Sequence, residues 1–257
     1  MFADIRVYAD KDMTFELTPT VTTTIVDGRE AELRTFPLNC TATTTKFYVR
    51  VTSETDKSRD YIVTISKPTT EISFEDINNH WAEQAIQNVA NAGIISGTLE
   101  GEKYYYNPNN NATRQEIAVL IIRLLGIEPE AFKAVNLSNI FEDASSVGDW
   151  SYNYVRAVYT LNIMVGDNGE FHPKDNITRQ EFFVTVANVL KLDTNAAANY
   201  SLSKFSDASS VASWALPYTK AVVKEGIIVG NDGRLEPKSH ISRAEIAVIL
   251  DKMMPMV

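Results

Sequence analysis

The sequence has one cysteine, Cys40, and three histidines, His80, His172 and His240, in 257 residues. A lone cysteine closes no intrachain disulfide, and so few thiols and imidazoles leave no ligand set for a Cys/His zinc site. No apolar run approaches the ~18 residues of a membrane-spanning helix. The first residues do not read as basic, then apolar, then cleavable, so no membrane insertion is expected. Positive charge is scarce too: 24 Lys+Arg stand against 33 Asp+Glu, a formal net charge of -9. That balance argues against nucleic acid or an anionic membrane as the main partner, because phosphate binding needs a positive footprint. Any anionic ligand must therefore be met by a local exception to the global charge. The remainder, 44% apolar and 22% charged, is ordinary for one or two domains able to bury a core.

Residues 1 to 70 differ from the rest. They hold 16 Thr, and apolar side chains alternate along Phe47, Val49, Val51 and along Tyr61, Val63, Ile65, as in half-buried strands. Asp27-Gly28 between two such runs is a hairpin signal, since glycine accepts the positive φ of a tight turn. Five or six strands and no helix are expected here. A complete immunoglobulin-like sandwich takes roughly 100 residues, so the segment is either a small variant or one missing its first strands. Lys67-Pro68-Thr69-Thr70 reads as a linker.

From Phe74 onward the chain repeats itself. Phe74-Glu-Asp, Phe141-Glu-Asp and Phe205-Ser-Asp precede Trp81, Trp150 and Trp214, and an isoleucine follows 13 positions after each tryptophan: Ile94, Ile163, Ile227. Gly97, Gly166 and Gly230 then open loops that end at Pro108, Pro173 and Pro237. Next come Thr113-Arg-Gln-Glu, Thr178-Arg-Gln-Glu and Ser242-Arg-Ala-Glu, each heading an apolar run. Such periodicity marks units that bury their faces against one another.

Each unit resolves into two helices. In the first, aligned positions 85/154/218, 86/155/219, 89/158/222 and 90/159/223 form one mostly apolar face, and Gly93, Asn162 and Gly226 are suited to the left-handed residue after its last turn. The second opens with a capping box, Thr113 with Glu116, Thr178 with Glu181 and Ser242 with Glu245. Ile117, Leu120, Ile121, Leu124; Phe182, Val186, Val189; and Ile246, Ile249, Leu250, Met253 follow on its inner face. One pair of helices cannot bury both faces, whereas three pairs about a shared axis can.

Arg114, Arg179 and Arg243 occupy the first helical position, where a positive charge opposes the helix dipole at a cost of up to about 1 kcal/mol. Two reasons could place them there. The arginine, the helix N–H groups and the dipole together could hold a carboxylate or phosphate, or the arginine could bridge to an acid of a neighbouring unit, such as the Asp of Phe-x-Asp. Trp81, Trp150 and Trp214 open the first helices; their position favours packing on the core over offering a flat face to a sugar ring. Gly166-Asp-Asn-Gly169 and Gly230-Asn-Asp-Gly233 are turns in which Asp167 and Asp232 could accept hydrogen bonds from hydroxyls. They lack the alternating acids of a calcium loop. The histidines are not equivalent between repeats, no carboxylate pair stands out as an acid/base couple, and neither catalysis, a metal nor a cofactor is expected.

The repeated Phe-x-Asp, Trp, Gly-Ile or Asn-Ile, loop and Thr/Ser-Arg-Gln/Ala-Glu resemble three tandem S-layer homology (SLH) domains. The strands ending Asp60-Tyr-Ile-Val-Thr-Ile-Ser-Lys-Pro68 are similar to the close of cadherin-like domains. The resemblance implies a multidomain chain. A small all-β immunoglobulin/cadherin-like sandwich, complete or not, would span 1–68 and a linker 69–73. SLH repeats at 74–127, 141–192 and 205–254 would fold as one all-α pseudo-threefold body over 74–257. It implies a secreted, non-enzymatic anchor at the cell wall or S-layer of a Gram-positive bacterium. The ligand would be an anionic secondary cell-wall polysaccharide, commonly ending in pyruvylated N-acetylmannosamine, with neighbouring S-layer subunits as further partners. The carbohydrate-binding residues it carries over are Arg114, Arg179, Arg243, Trp81, Trp150, Trp214, Asp167, Gly169, Asp232 and Gly233, in grooves between adjacent units. Lattice assembly through protein contacts and a peptidoglycan-directed outer-membrane tether are the alternatives. Two departures stand out: Gln115 and Gln180 replace a small residue and would narrow or reshape a groove, and the loop of the first unit is longer by four residues, including Tyr104-Tyr-Tyr106.

Overall fold

The computed structural model describes residues 4–8, 20–26, 29–35, 44–52, 57–66 and 72–257. Its first part holds five strands: β1 (Asp4–Tyr8), β2 (Thr20–Val26), β3 (Arg29–Thr35), β4 (Thr44–Thr52) and β5 (Ser58–Ser66). β4 lies between β1 and β5 in one antiparallel sheet, and β2 pairs with β3 in a second. Val26 opposite Arg29 brackets positions 27 and 28, the two-residue connection that Asp27-Gly28 predicts. That dipeptide itself, Cys40 and the linker residues 67–71 lie outside the described residues. Arg50 and Asp60 face each other across β4 and β5 at 2.8 Å, an exposed pair of small energetic weight. Sheets of three and two strands fall short of the seven-stranded immunoglobulin sandwich among the described residues.

Three helix pairs follow. α1 (Glu83–Asn91) and α2 (Arg114–Leu125) form the first unit, α3 (Tyr152–Thr160) and α4 (Arg179–Val189) the second, α5 (Leu216–Lys224) and α6 (Arg243–Met253) the third. The first helix of each unit ends where expected. Gly93, Asn162 and Gly226 adopt φ of 74°, 56° and 71°. The next N–H, of Ile94, Ile163 or Ile227, reaches back to the carbonyl of Val89, Val158 or Val222. This closure satisfies a carbonyl the helix would otherwise orphan, and it turns the isoleucine inward. The first loop, longer by four residues, folds as a short hairpin, β6 (Thr98–Glu100) with β7 (Lys103–Tyr105), a small departure from an all-α body.

The units close into a ring. α2 packs on α3, α4 on α5 and α6 on α1, so each second helix meets the first helix of the next unit and the third unit returns to the first. Backbone bridges repeat the cycle at Thr113 with Asn176, Thr178 with His240 and Ser242 with Asn111. Asn88 on α1 donates to Asp251 on α6 at 3.1 Å, joining the ends of the cycle. A closed ring has no terminal face to cap, unlike an open stack of repeats. One apolar cluster runs through all three units and includes Phe74, Phe141 and Phe205.

Gly97, Gly166 and Gly230 are glycine because of those phenylalanines. A Cβ on Gly166 would lie 2.7 Å from the Phe141 ring and strike the Glu170 carbonyl; one on Gly230 would lie 2.6 Å from Phe205. The first aromatic of each Phe-x-Asp thus seats its own unit's loop.

Candidate functional site

The second helices begin as their sequence dictates. In each capping box one carboxylate oxygen, Oε2, accepts the backbone N–H of the cap: Thr113 to Glu116 at 2.6 Å, Thr178 to Glu181 at 2.7 Å, Ser242 to Glu245 at 3.0 Å. The other oxygen is taken by the preceding unit. Arg114 Nη1 donates to Glu181 Oε1 at 2.9 Å, Arg179 Nη1 to Glu245 Oε1, and Arg243 Nη1 to Glu116 Oε1 at 3.5 Å. Each Nε donates to the next loop, at the carbonyls of Phe171 (2.8 Å), Leu235 (2.7 Å) and Tyr106 (2.9 Å). The arginines therefore do bridge between units, to the capping-box glutamate and not to the Asp of Phe-x-Asp.

That aspartate has another task. Asp76 accepts the N–H groups of Tyr106 and Asn107, Asp143 those of Phe171 and His172, Asp207 those of Leu235 and Glu236. It fixes the residue whose carbonyl receives the arginine. The Tyr106 hydroxyl, at 2.7 Å, also donates to the Arg243 carbonyl, so the inserted first loop reaches the same arrangement as the other two.

The helix ends do not form the expected anion cradle. The N–H groups of Arg114, Arg179 and Arg243 are spent on the carbonyls of Asp175, Ser239 and Asn110, and the next ones on Pro173, Pro237 and Pro108. What remains of each guanidinium is Nη2, which makes no hydrogen bond among the described residues. Gln115 and Gln180 do not narrow a groove either. Both are buried; Gln115 Oε1 accepts from Gly148 N–H and the Ser151 hydroxyl, and Gln180 Oε1 from Ala212 N–H. They tie the residues that lead into Trp150 and Trp214.

Three grooves result, here numbered by the unit that supplies their loop and second helix. The first, about 220 Å³, joins Gly97 and Thr98 to Arg243 of the third unit and Trp150 of the second. The second, about 370 Å³, joins Val165, Gly166 and Asp167 to Arg114 of the first unit and Trp214 of the third. The third, about 470 Å³, joins Val229, Gly230 and Asn231 to Arg179 of the second unit and Trp81 of the first. Every groove thus draws on all three units, one more than expected.

The tryptophans are not core residues: Trp81, Trp150 and Trp214 are 67%, 57% and 52% exposed. Packing does not account for so much uncovered aromatic surface. Of the predicted turn residues only Asp167 lines a groove, and its equivalent in the third unit is Asn231, not Asp232. Gly169 and Gly233 hold left-handed turns, with φ of 83° and 70°, and their carbonyls receive Glu142 and Ser206 N–H. The sequence reading missed Val165 and Val229, 52% and 62% exposed on the groove walls; their place just before the loop glycine was the available signal.

Two carboxyls of this scaffold are held ionised. Burial raises the pKa of Glu245, but the Ser242 N–H, the Arg179 charge and the Ser242 hydroxyl outweigh it, leaving it below the ordinary 4.5. For Asp207 burial is likewise outweighed, chiefly by the Leu235 and Glu236 N–H groups, leaving it below 3.8. A carboxyl whose folded pKa is depressed stabilises the fold above its unfolded value and loses that contribution as pH falls through the folded one. Urea midpoints of the helical body should accordingly fall once pH drops below 4.5 and then 3.8, the two ordinary values. A midpoint that rises on acidification through that window would contradict the assignment.

Among the described residues no group of His, Cys, Asp and Glu is placed to hold a metal, and no helix is long and apolar enough to cross a membrane. The sequence profile described as the S-layer homology domain matches residues 73–118, 140–183 and 204–247. The chain is 33% identical over 180 residues to an amylopullulanase of Thermoanaerobacterium thermosulfurigenes, a match that covers 69% of this chain and 9% of that one. It is 31% identical over 181 residues to the exoglucanase XynX of Acetivibrio thermocellus, covering 70% of this chain and 16% of the relative. The surface-layer 125 kDa protein of Lysinibacillus sphaericus is 29% identical over 177 residues, with 67% and 14% covered. The chain therefore spans only a small part of the relatives it matches.

Proposed function

Because this chain belongs to the S-layer homology family, we propose that its helical body is a non-catalytic anchor, holding a bacterial surface protein to the cell wall by binding cell-wall polysaccharide between its units. One observation carries this reading. Three times over, an exposed tryptophan, an arginine bound to the neighbouring unit and a glycine-opened loop are brought together by three different units. The tryptophan supplies a face for a sugar ring and an indole N–H for a hydroxyl. The arginine supplies a guanidinium edge already oriented by the neighbouring glutamate and loop carbonyl, so little side-chain entropy is lost on binding.

The ligand we assign is an anionic secondary cell-wall polysaccharide ending in pyruvylated N-acetylmannosamine. Its ketal carries a carboxylate beside a methyl group, chemistry that suits Nη2 of the arginine and an apolar groove wall such as Val229. The site of action is then the wall or surface layer of a Gram-positive bacterium, where neighbouring surface-layer subunits are further partners. Strands β1–β5 we assign to a cadherin-like domain preceding the anchor.

Removing the pyruvyl group from purified wall polysaccharide should weaken its binding at least about tenfold, the loss of about 1.4 kcal/mol. Equal binding of the two polymers would remove the carboxylate from the account.

A further inference from the structure

Ten positions beyond its cap, each second helix places one side chain in its groove: Arg123 in the first, Asn188 in the second, Lys252 in the third. All three are anchored alike. Arg123 Nη1 donates to the Ile94 carbonyl at 3.4 Å, Asn188 Nδ2 to Ile163 at 3.1 Å and Lys252 Nζ to Ile227 at 3.3 Å. The geometry is shared, but the charge is not. The position after the groove glycine differs in the opposite sense: Thr98, Asp167 and Asn231.

In every groove the inter-unit arginine is matched by the capping-box glutamate. What is left over is a cation in the first and third grooves, Arg123 and Lys252, neither of which forms an ion pair among the described residues. In the second groove the surplus is a carboxylate, Asp167. His172 also lines that groove, 3.7 Å from Glu170 and 3.9 Å from Asp175.

We infer that the grooves are sorted by ligand charge. The first and third take a sugar residue bearing a carboxylate or phosphate; the second takes an uncharged one. This rests on the proposed reading that the grooves bind sugars. A cation within several ångströms of a bound anion in a half-open groove favours binding, and a carboxylate there opposes it. All three grooves keep a tryptophan, so the ring platform is common while the charge beside it differs. In a body this acidic, Arg123 and Lys252 are the local exceptions an anionic ligand requires.

The chain has three tryptophans and one borders each groove, so three indole N–H resonances report the grooves separately: Trp150 the first, Trp214 the second, Trp81 the third. Titrating the full chain with the methyl glycoside of pyruvylated N-acetylmannosamine should move Trp81 and Trp150 with a Kd at least about tenfold lower than Trp214. The unpyruvylated glycoside should show no such preference. Asn188→Lys combined with Asp167→Asn should bring Trp214 to the affinity of the other two, and Lys252→Asn should drop Trp81 into the weaker class. One Kd at all three tryptophans, or a double variant that leaves Trp214 weak, would overturn the charge sorting while sugar binding stands. If no indole responds to either glycoside, the sugar-binding reading falls and this inference falls with it.

Discussion

Arg179→Ala is expected to lower the stability of the whole helical body by about 2–4 kcal/mol, although the residue opens a helix that its charge disfavours. Its side chain is 8% exposed and joins Glu245 to the Leu235 carbonyl. Truncation strands a carboxylate whose second oxygen has no other partner and leaves a buried carbonyl unpaired. The figure is set below that of a fully dry pair because the Glu245 side chain is 30% exposed. Because the ring is closed, the loss loosens the contact of the second unit with the third, and unfolding should remain one cooperative transition at a lower urea midpoint. Arg243→Ala should cost less, since that guanidinium is 21% exposed and its carboxylate contact is 3.5 Å. Equal midpoints for Arg179→Ala and the unsubstituted chain would show that the arginine contributes nothing to the ring. These residues are structural first, so loss of ligand binding in an arginine variant would not by itself identify a ligand contact.

Gly166→Ala should be as damaging, by about 3 kcal/mol or more, and Gly169→Ala in the same loop by only about 1 kcal/mol. Both glycines are left-handed, at φ of 77° and 83°, so the backbone strain is common to the two variants. The space is not. A Cβ at 166 meets the Glu170 carbonyl and the Phe141 ring, whereas at 169 its nearest neighbour is the Glu142 carboxylate at 3.9 Å. The extra loss at 166 measures how tightly the loop is seated on the phenylalanine, and hence how rigid the floor of the second groove is. Thermal unfolding of the two variants side by side makes the comparison. Matching losses would mean that the loop yields without cost and that Phe141 does not seat it.

The local elements were legible in the sequence because they depend on near neighbours along the chain. Thr113 with Glu116, Gly93 after a last turn, and the pairing of β2 with β3 each follow from relations between near neighbours, and each is present. The closed body was legible in outline, since three amphipathic pairs have to bury one another. The partners across units were not. Nothing in Thr-Arg-Gln-Glu reveals that its glutamate serves its own helix with one oxygen and the preceding unit's arginine with the other, because that second partner is 67 positions away for Arg114. The aspartate of Phe-x-Asp is the acid most visible in the repeat, but its true partners are loop N–H groups that lie 28 and 29 residues on in the second unit. Large apolar rings usually pack on a core, so the sequence points the tryptophans inward, and only the packed ring shows them uncovered. Arg123, Asn188 and Lys252 carry no shared residue type, so nothing in the repeat marks their common position.

The uneven charge of the chain also takes on a physical meaning. Its surplus of nine acids is no obstacle to an anionic polymer if recognition rests on a few oriented cations beside aromatic faces, where attraction is screened less than on an open surface. The most direct measurement is the binding of purified secondary cell-wall polysaccharide by the full chain carrying Trp81→Ala, Trp150→Ala and Trp214→Ala together. The three rings are more than half exposed, so the triple variant should keep its helical circular dichroism and nearly all of its melting temperature. Its affinity for the polysaccharide should fall at least about 100-fold. A triple variant that folds and binds the polymer as the unsubstituted chain does would contradict the account.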